Sequence, residues 1–166
     1  MIFTDIPNGA RVFVDANCLV YHFGPDPVLG SACRQLMERI DRQNILAFTS
    51  THILSDVAHR LMTMEAMMRL GWPATGIAPR LRRHPAEIQQ LTDFRAAIET
   101  IHNSKMQIFS VPSDQVVAAT SISQQFGLLS DDALIVALMQ AKGLADLASN
   151  DTDFDRVPGL TRYAPM

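Results

Sequence analysis

Short apolar segments alternate with stretches of helical periodicity along this chain, and that alternation limits its fold more than any other feature. Arg11–Val14 (RVFV) is β-branched and aromatic and reads as a buried strand. Ile45–Thr49 and Met106–Val111 read the same way, as does Leu144–Ala148, with Leu160–Tyr163 as a short fifth strand. A helix is expected over roughly Val28 to Arg42. Ser50 or Thr51 then caps a second one, whose apolar positions are Ile53, Leu54, Val57, Ala58 and Leu61. Gly71-Trp72-Pro73 and Gly76 mark a break. Pro85 opens a further helix carrying Ile88, Leu91, Ile98 and Ile101. Ser113 caps a helix ending at Gly127, and Ser130 caps one ending at Gly143. Strands alternating with helices imply an α/β fold with a central parallel sheet of four to five strands, covered on both faces.

The chain has 166 residues, enough for one domain with a sizeable core, and residues 1–166 are expected to form a single one. No repeat, linker or low-complexity tract divides it. The apolar run Ala133–Met139 is too short to span a bilayer, so no membrane association is expected. The opening MIFTDIPNGARVFVD lacks the basic and apolar regions of a signal peptide, which makes the cytoplasm the expected location. Cys18 and Cys33 form no CxxC pair and are expected to be free, packed thiols. With a net charge of −3, the bulk composition offers nothing to a polyanion. Phosphate would have to be met by a local patch or through a bound cation.

Asp15 directly follows the first strand, Asp132 lies in the first turn of the helix capped by Ser130, and Asp151 and Asp153 follow the fourth strand. In a parallel sheet the C-terminal strand ends share one rim, where ligand sites form. These carboxylates therefore meet, and Asp56, near the start of its helix, can join them. Taken singly, each has an ordinary explanation as turn or helix-start chemistry. Taken together, without a His or Cys ligand set, they favour a hard, oxygen-bound cation, Mg²⁺ or Mn²⁺ rather than Zn²⁺. Such an ion supports phosphodiester hydrolysis.

The same residues carry a family resemblance. VFVDANCLVYHF resembles the opening motif of PIN domains, STHILSDVAHRL the second, LLSDDALIVALMQAKG the third and LASNDTDFDRVPGL the last. The four occur in the family's order over nearly the whole chain. Asp56 stands where the family usually has glutamate, and the stretch from about Met64 to Lys105 is longer than in compact members. The resemblance implies a Rossmann-like sheet and a Mg²⁺- or Mn²⁺-dependent endoribonuclease. Asp15, Asp132 and Asp151 would be catalytic metal ligands, with Asp56 acting directly or through water and Asp153 as an accessory. It further implies a toxin of the VapC type, with a small antitoxin protein as partner, a homodimeric state and an RNA substrate.

Asn17 and Ser149 sit beside the acids and can orient them, or can serve only as turn and cap residues. Arg80, Arg82, Arg83 and His84 form the one dense basic run, which could hold RNA phosphates beside the acidic centre or form a solvated loop. Cys18 with His22 lacks a third orienting group for thiol catalysis. Met62, Met64, Met67 and Met68 suit core or dimer packing, or an adaptable groove for a partner helix. An aspartate-nucleophile phosphatase is a rival enzyme class, but it needs a second acid where Asn17 stands. A catalytically weak or inactive PIN domain that binds RNA or protein is the remaining alternative.

Overall fold

A computed structural model describes residues 1–166. Five strands, β1 (Arg11–Val14), β2 (Leu46–Ser50), β3 (Gln107–Phe109), β4 (Asp146–Ala148) and β5 (Thr161–Tyr163), form one sheet in the order β3-β2-β1-β4-β5. All four pairings are parallel. Around it lie α1 (Ala16–Phe23), α2 (Gly30–Asp41), α3 (Thr51–Leu70), α4 (Ile77–Arg83), α5 (Pro85–Ile88), α6 (Asp93–Asn103), α7 (Ser113–Phe126) and α8 (Ser130–Ala141). The expected parallel α/β sheet is therefore present, with five strands.

The helices depart from expectation in several places. Ser113 and Ser130, expected as caps, are the first residues of α7 and α8 after Pro112 and Leu129, and neither helix start has a side-chain cap. Ala16–Phe23 is helical with no intervening loop, because Asp15 ends the strand and caps the helix at once. The helix expected from Pro85 is broken into α5 and α6, with Leu91 buried at the break. The arginine run lies mostly in a helix, α4, rather than in a loop. Ser50 does cap α3, its hydroxyl accepting from the Ile53 amide at 3.2 Å.

The chain lays down β1, β2 and β3 in one direction and then crosses back to place β4 and β5 on the other side of β1. The order reverses between β1 and β4, the place where open α/β sheets leave a crevice. Register fixes what faces that crevice. Val14 pairs with Ala148, so Asp15 and Ser149, one residue further on, lie side by side.

The main core contains the sheet together with α8, whose residues Ala133–Met139 are all buried. A helix that is apolar on every side belongs in the interior, and this one brings Asp132 to the sheet rim. A second, smaller cluster of Ala66, Ile77, Leu81 and Leu91 joins α4 and the α5–α6 break to the C-terminal end of α3. Met62 and Met67 pack against it, and Met64 packs on the main core, as core packing of the methionines predicts. Both cysteines are free and buried. No helix is long and apolar enough to cross a membrane.

Candidate active site

Asp15 is 7% exposed, and protein donors surround its carboxylate. The Ala16 amide donates to Oδ1 at 2.6 Å, and the Ser149 hydroxyl donates to Oδ2 at 2.7 Å. The Asn17 amide nitrogen also donates to Oδ2. The Ser149 hydroxyl in turn accepts from Asn17 Nδ2 and from the Asp151 amide, both at 3.0 Å. With one donor and two acceptor positions used, this fully buried hydroxyl is saturated. Asn17 Oδ1 accepts from the Asn150 amide at 3.1 Å. One network thus locks the end of β1 to the loop after β4, and Asn17 and Ser149 orient the acids as their positions suggest.

A cavity of about 230 Å³ opens above this network. Asp15, Asp56, Asp131, Asp132 and Asp151 all line it, together with His52, Arg60 and Leu129. Asp151 caps the short 3₁₀ turn Thr152–Arg156, its Oδ1 accepting from the Asp153 amide at 2.9 Å. Asp56 lies 3.6 Å from Arg60, one turn along α3. Asp153 does not line the cavity; its carboxylate pairs with Arg156 at 2.8 Å, a partner three residues away that the accessory-ligand expectation overlooked.

The carboxylates influence one another strongly. Asp132 is pushed up to about 6, first by burial and then by the charges of Asp151, Asp15, Asp131 and Asp153. Burial also raises Asp15, against hydrogen bonds from Ser149 and Ala16 and the positive charge of Arg60, while Asp151 adds to the rise. These are the marks of negative charge gathered in one place without a matching cation. The donor set is all oxygen, which fits Mg²⁺ or Mn²⁺. As the side chains stand, no three His, Cys, Asp or Glu residues are drawn together tightly enough to ligate one ion. Asp15 and Asp151 are turned toward their own hydrogen bonds, and Asp56 toward Arg60.

His52, Arg60 and Leu129 did not stand out in the sequence. Arg60 had a legible signal, its i+4 spacing from Asp56. His52 Nε2 approaches Asp131 Oδ1 at 3.4 Å, a contact between separate helices with no local signature. Leu129 is 75% exposed at the cavity rim. His22 and Cys18 make no catalytic pair: burial pushes the Cys18 thiol well up and the His22 imidazole down, and His22 Nδ1 has no partner. None of Arg80, Arg82, Arg83 and His84 lines the cavity. Arg80 instead lies over the Trp72 ring, beyond the far end of α3, so of the two alternatives for these arginines, beside the acidic centre or solvated apart from it, they take a position apart from it.

A parallel sheet with a carboxylate-lined crevice at its order reversal defines an α/β domain centred on acidic chemistry. The family model described as PIN domain matches residues 12–160, and the chain belongs to the PIN domain family. Solved structures share the fold. VapC20 of Mycobacterium tuberculosis, described as a sarcin–ricin loop cleaving toxin, is 17% identical with a TM-score of 0.61, over 87% of this chain and 92% of that one. VapBC2 of Rickettsia felis, bound to a DNA fragment from its promoter, is 16% identical with a TM-score of 0.57, over 93% and 98%. A toxin–antitoxin complex from Klebsiella pneumoniae is 17% identical with a TM-score of 0.54, over 90% and 95%. No curated protein matches the sequence.

Proposed function

We propose that this PIN domain is a divalent-cation-dependent endoribonuclease that hydrolyses RNA phosphodiester bonds and serves as the toxin of a toxin–antitoxin module. The observation that carries the reading is the shared cavity of Asp15, Asp56, Asp132 and Asp151 at the strand-order reversal, with Asp132 pushed up to about 6 by its neighbours. The toxin assignment is supported by the solved relatives, which include toxins and toxin–antitoxin complexes. A small antitoxin protein is the proposed partner and a homodimer the proposed assembly, as for the VapC-type toxins the sequence resembles.

Asp15, Asp132 and Asp151 would hold Mg²⁺ or Mn²⁺, with Asp56 reaching it through water. When bound, such a cation supplies charge neutralisation at the phosphate and a water acidified for attack. Ser149 and Asn17 aim the Asp15 carboxylate by donating to Oδ2, and the Ser149 bond favours its charged form against the effect of burial. Arg60 offsets part of the cavity's negative charge and offers a cation to an entering phosphate. His52, also on α3, lines the cavity and pairs with Asp131.

The Asp56–Arg60 pair favours a second reading, in which the domain binds RNA or a protein without cutting, because that carboxylate already has a counter-charge. One experiment separates the two. Purified protein is incubated with single-stranded RNA in Mn²⁺, in Mn²⁺ with chelator, and as the Asp132→Asn variant. Cleavage confined to the first condition is expected. RNA left intact in all three, at protein concentrations that retain it on a filter, would establish the non-cutting reading.

A further inference from the structure

The helical excursion between Leu70 and Thr92 has a face that the cavity does not use. Arg80, Arg82 and Arg83 sit in the last turn of α4, and Arg82 and Arg83 are exposed. None of the three forms an ion pair, although Arg42, Arg60, Arg69, Arg95, Arg156 and Arg162 all do. The one carboxylate in this stretch, Glu87, pairs with none of them. In a chain of net charge −3, this is a concentrated and uncompensated positive patch.

The patch contains an aromatic ring. The Arg80 guanidinium lies 4.2 Å from the centroid of Trp72, and the His84 ring meets the same indole edge-on at 5.4 Å. His84 Nδ1 is 2.8 Å from the Arg80 carbonyl, which fixes the second ring against the helix. A half-buried tryptophan stacked by Arg80, with two further unpaired arginines on the same short helix, matches the chemistry of single-stranded nucleic acid: cations for the phosphates and a π-system for unstacked bases. A protein partner would favour an apolar core within the patch, and here the apolar side chains Ile77 and Leu81 are buried inward against Ala66.

The platform is also rigid and distant. The Glu65 carboxylate accepts from the amides of Thr92, Asp93 and Phe94 at 2.8 to 3.1 Å, and from Arg69 at 2.8 Å. It fastens the end of the excursion to α3. From Asp56 at the cavity to Leu70, α3 rises about 21 Å, at 1.5 Å per residue.

We propose that Trp72, Arg80, Arg82 and Arg83 form a second RNA-binding site, which holds a single-stranded segment of substrate several nucleotides from the bond cut. The proposal rests on the endoribonuclease reading for its account of the substrate. It makes length a determinant of recognition: an oligonucleotide too short to bridge the two occupies only one site.

The test compares oligouridylates of 4 and 20 nucleotides. Binding is measured by fluorescence anisotropy in chelator over a range of salt, and cleavage in Mn²⁺, for wild type, the double variant Arg82→Gln/Arg83→Gln, Trp72→Ala and Trp72→Phe. The double variant should bind the 20-mer about ten-fold or more weakly, with the slope of log affinity against log salt shallower by about 1.4. Trp72→Ala should lose about ten-fold, and Trp72→Phe should recover most of it. Cleavage of the 4-mer and kcat on the 20-mer should not change. Unchanged 20-mer affinity and salt slope in the double variant, whose exposed positions carry no packing role, would overturn the proposal. Displacement of the 20-mer by polyglutamate as effectively as by unlabelled RNA would overturn it too, in favour of a general acidic partner. If wild type cuts neither RNA while 20-mer binding still depends on the arginines, the nuclease reading fails and the platform stands. If wild type cuts both and the arginines are indifferent, the platform fails and the nuclease stands.

Discussion

Helix α3 carries a carboxylate near each end, and the two ends treat them in opposite ways. Near its N-terminus Asp56 opens onto a cavity it shares with Asp15, Asp132 and Asp151, where charge accumulates and Asp132 is pushed up to about 6. About one turn beyond the middle, Glu65 is 1% exposed, yet its carboxyl is held below the ordinary value. Burial pushes it up, but the amides of Thr92, Phe94 and Asp93, together with Arg69, outweigh that and stabilise the charged form. The buried Glu65 is thus satisfied by the chain, whereas the half-buried Asp132 has no hydrogen bond from it. The carboxylate that serves the fold is given its partners within the chain, whereas Asp132 is left waiting for one.

The sharpest way to break this contrast is substitution of Asp132. Burial and like charges act on its carboxyl, with no hydrogen bond from the chain among them. Asp132→Asn should therefore reduce cleavage to background while the metal-free protein melts at the same temperature or higher. A fall of several degrees would show that this acid, too, serves the fold. Glu65→Ala should do the reverse. It strands three backbone donors at the start of α6 and frees Arg69, for a loss of about 2–4 kcal/mol in denaturant titrations. The folded fraction should still cut a short RNA at the wild-type kcat. If kcat collapses as well, the two ends of α3 are coupled.

Proton uptake sharpens the comparison further, because the two acids have opposite signs. Glu65 has a folded pKa below its ordinary 4.5, so it stabilises the protein at neutral pH. That contribution should disappear as pH drops below about 4.5. Asp132 has a folded value above its ordinary 3.8, so it destabilises the metal-free protein at neutral pH. As pH falls from about 6 toward 3.8, with Asp15, Asp131, Asp151 and Asp153 facing it, stability from this source should rise. Urea titrations in chelator should show the rise in wild type and its absence in Asp132→Asn. Glu65→Gln should instead remove part of the acid-side fall. The smallest effect is expected at Asp56. Aspartate reaches about 1.5 Å less far than glutamate, so Asp56→Glu should lower the Mn²⁺ concentration for half-maximal cleavage a few-fold. Asp56→Ala should raise it, by less than Asp15→Ala does. Three indistinguishable titrations would leave Asp56 as the partner of Arg60 alone.

The two regions also differ in how legible they were. Asp15, Asp132 and Asp151 could be placed at one rim from sequence, because each follows a strand or opens a helix and the parallel sheet aligns those positions. Even the link from Asp15 to Ser149 follows from register once β1 and β4 are adjacent. Glu65 could not be found in this way. In MTMEAMMRL it looks like one solvated charge on an amphipathic helix, and its partners are main-chain amides 27 to 29 residues away, which leave no mark in side-chain pattern. His52 was hidden for a similar reason, since its partner Asp131 lies on another helix. The arginine run was visible, but its location was not: that depends on the satellite cluster of Ala66, Ile77, Leu81 and Leu91, which carries α4 away from the cavity. Helix α1 was missed because the residue that ends β1 also starts the helix, so no loop residues announce the boundary.

The bond from Ser149 to Asp15 spans 134 residues of sequence, and it has a consequence for newborn chains. Asp15 is synthesised well before the hydroxyl that orients it and the acid beside it. At about 5–20 residues per second, roughly 7–27 s of translation separate the two. During that time β1 lacks its β4 neighbour and the crevice has only one wall. Until β4 has been made, the nascent chain therefore lacks the complete carboxylate cluster. On the nuclease reading proposed above, competence arrives when β4 docks beside β1, which gives an inhibitor of the folded surface a defined moment to act.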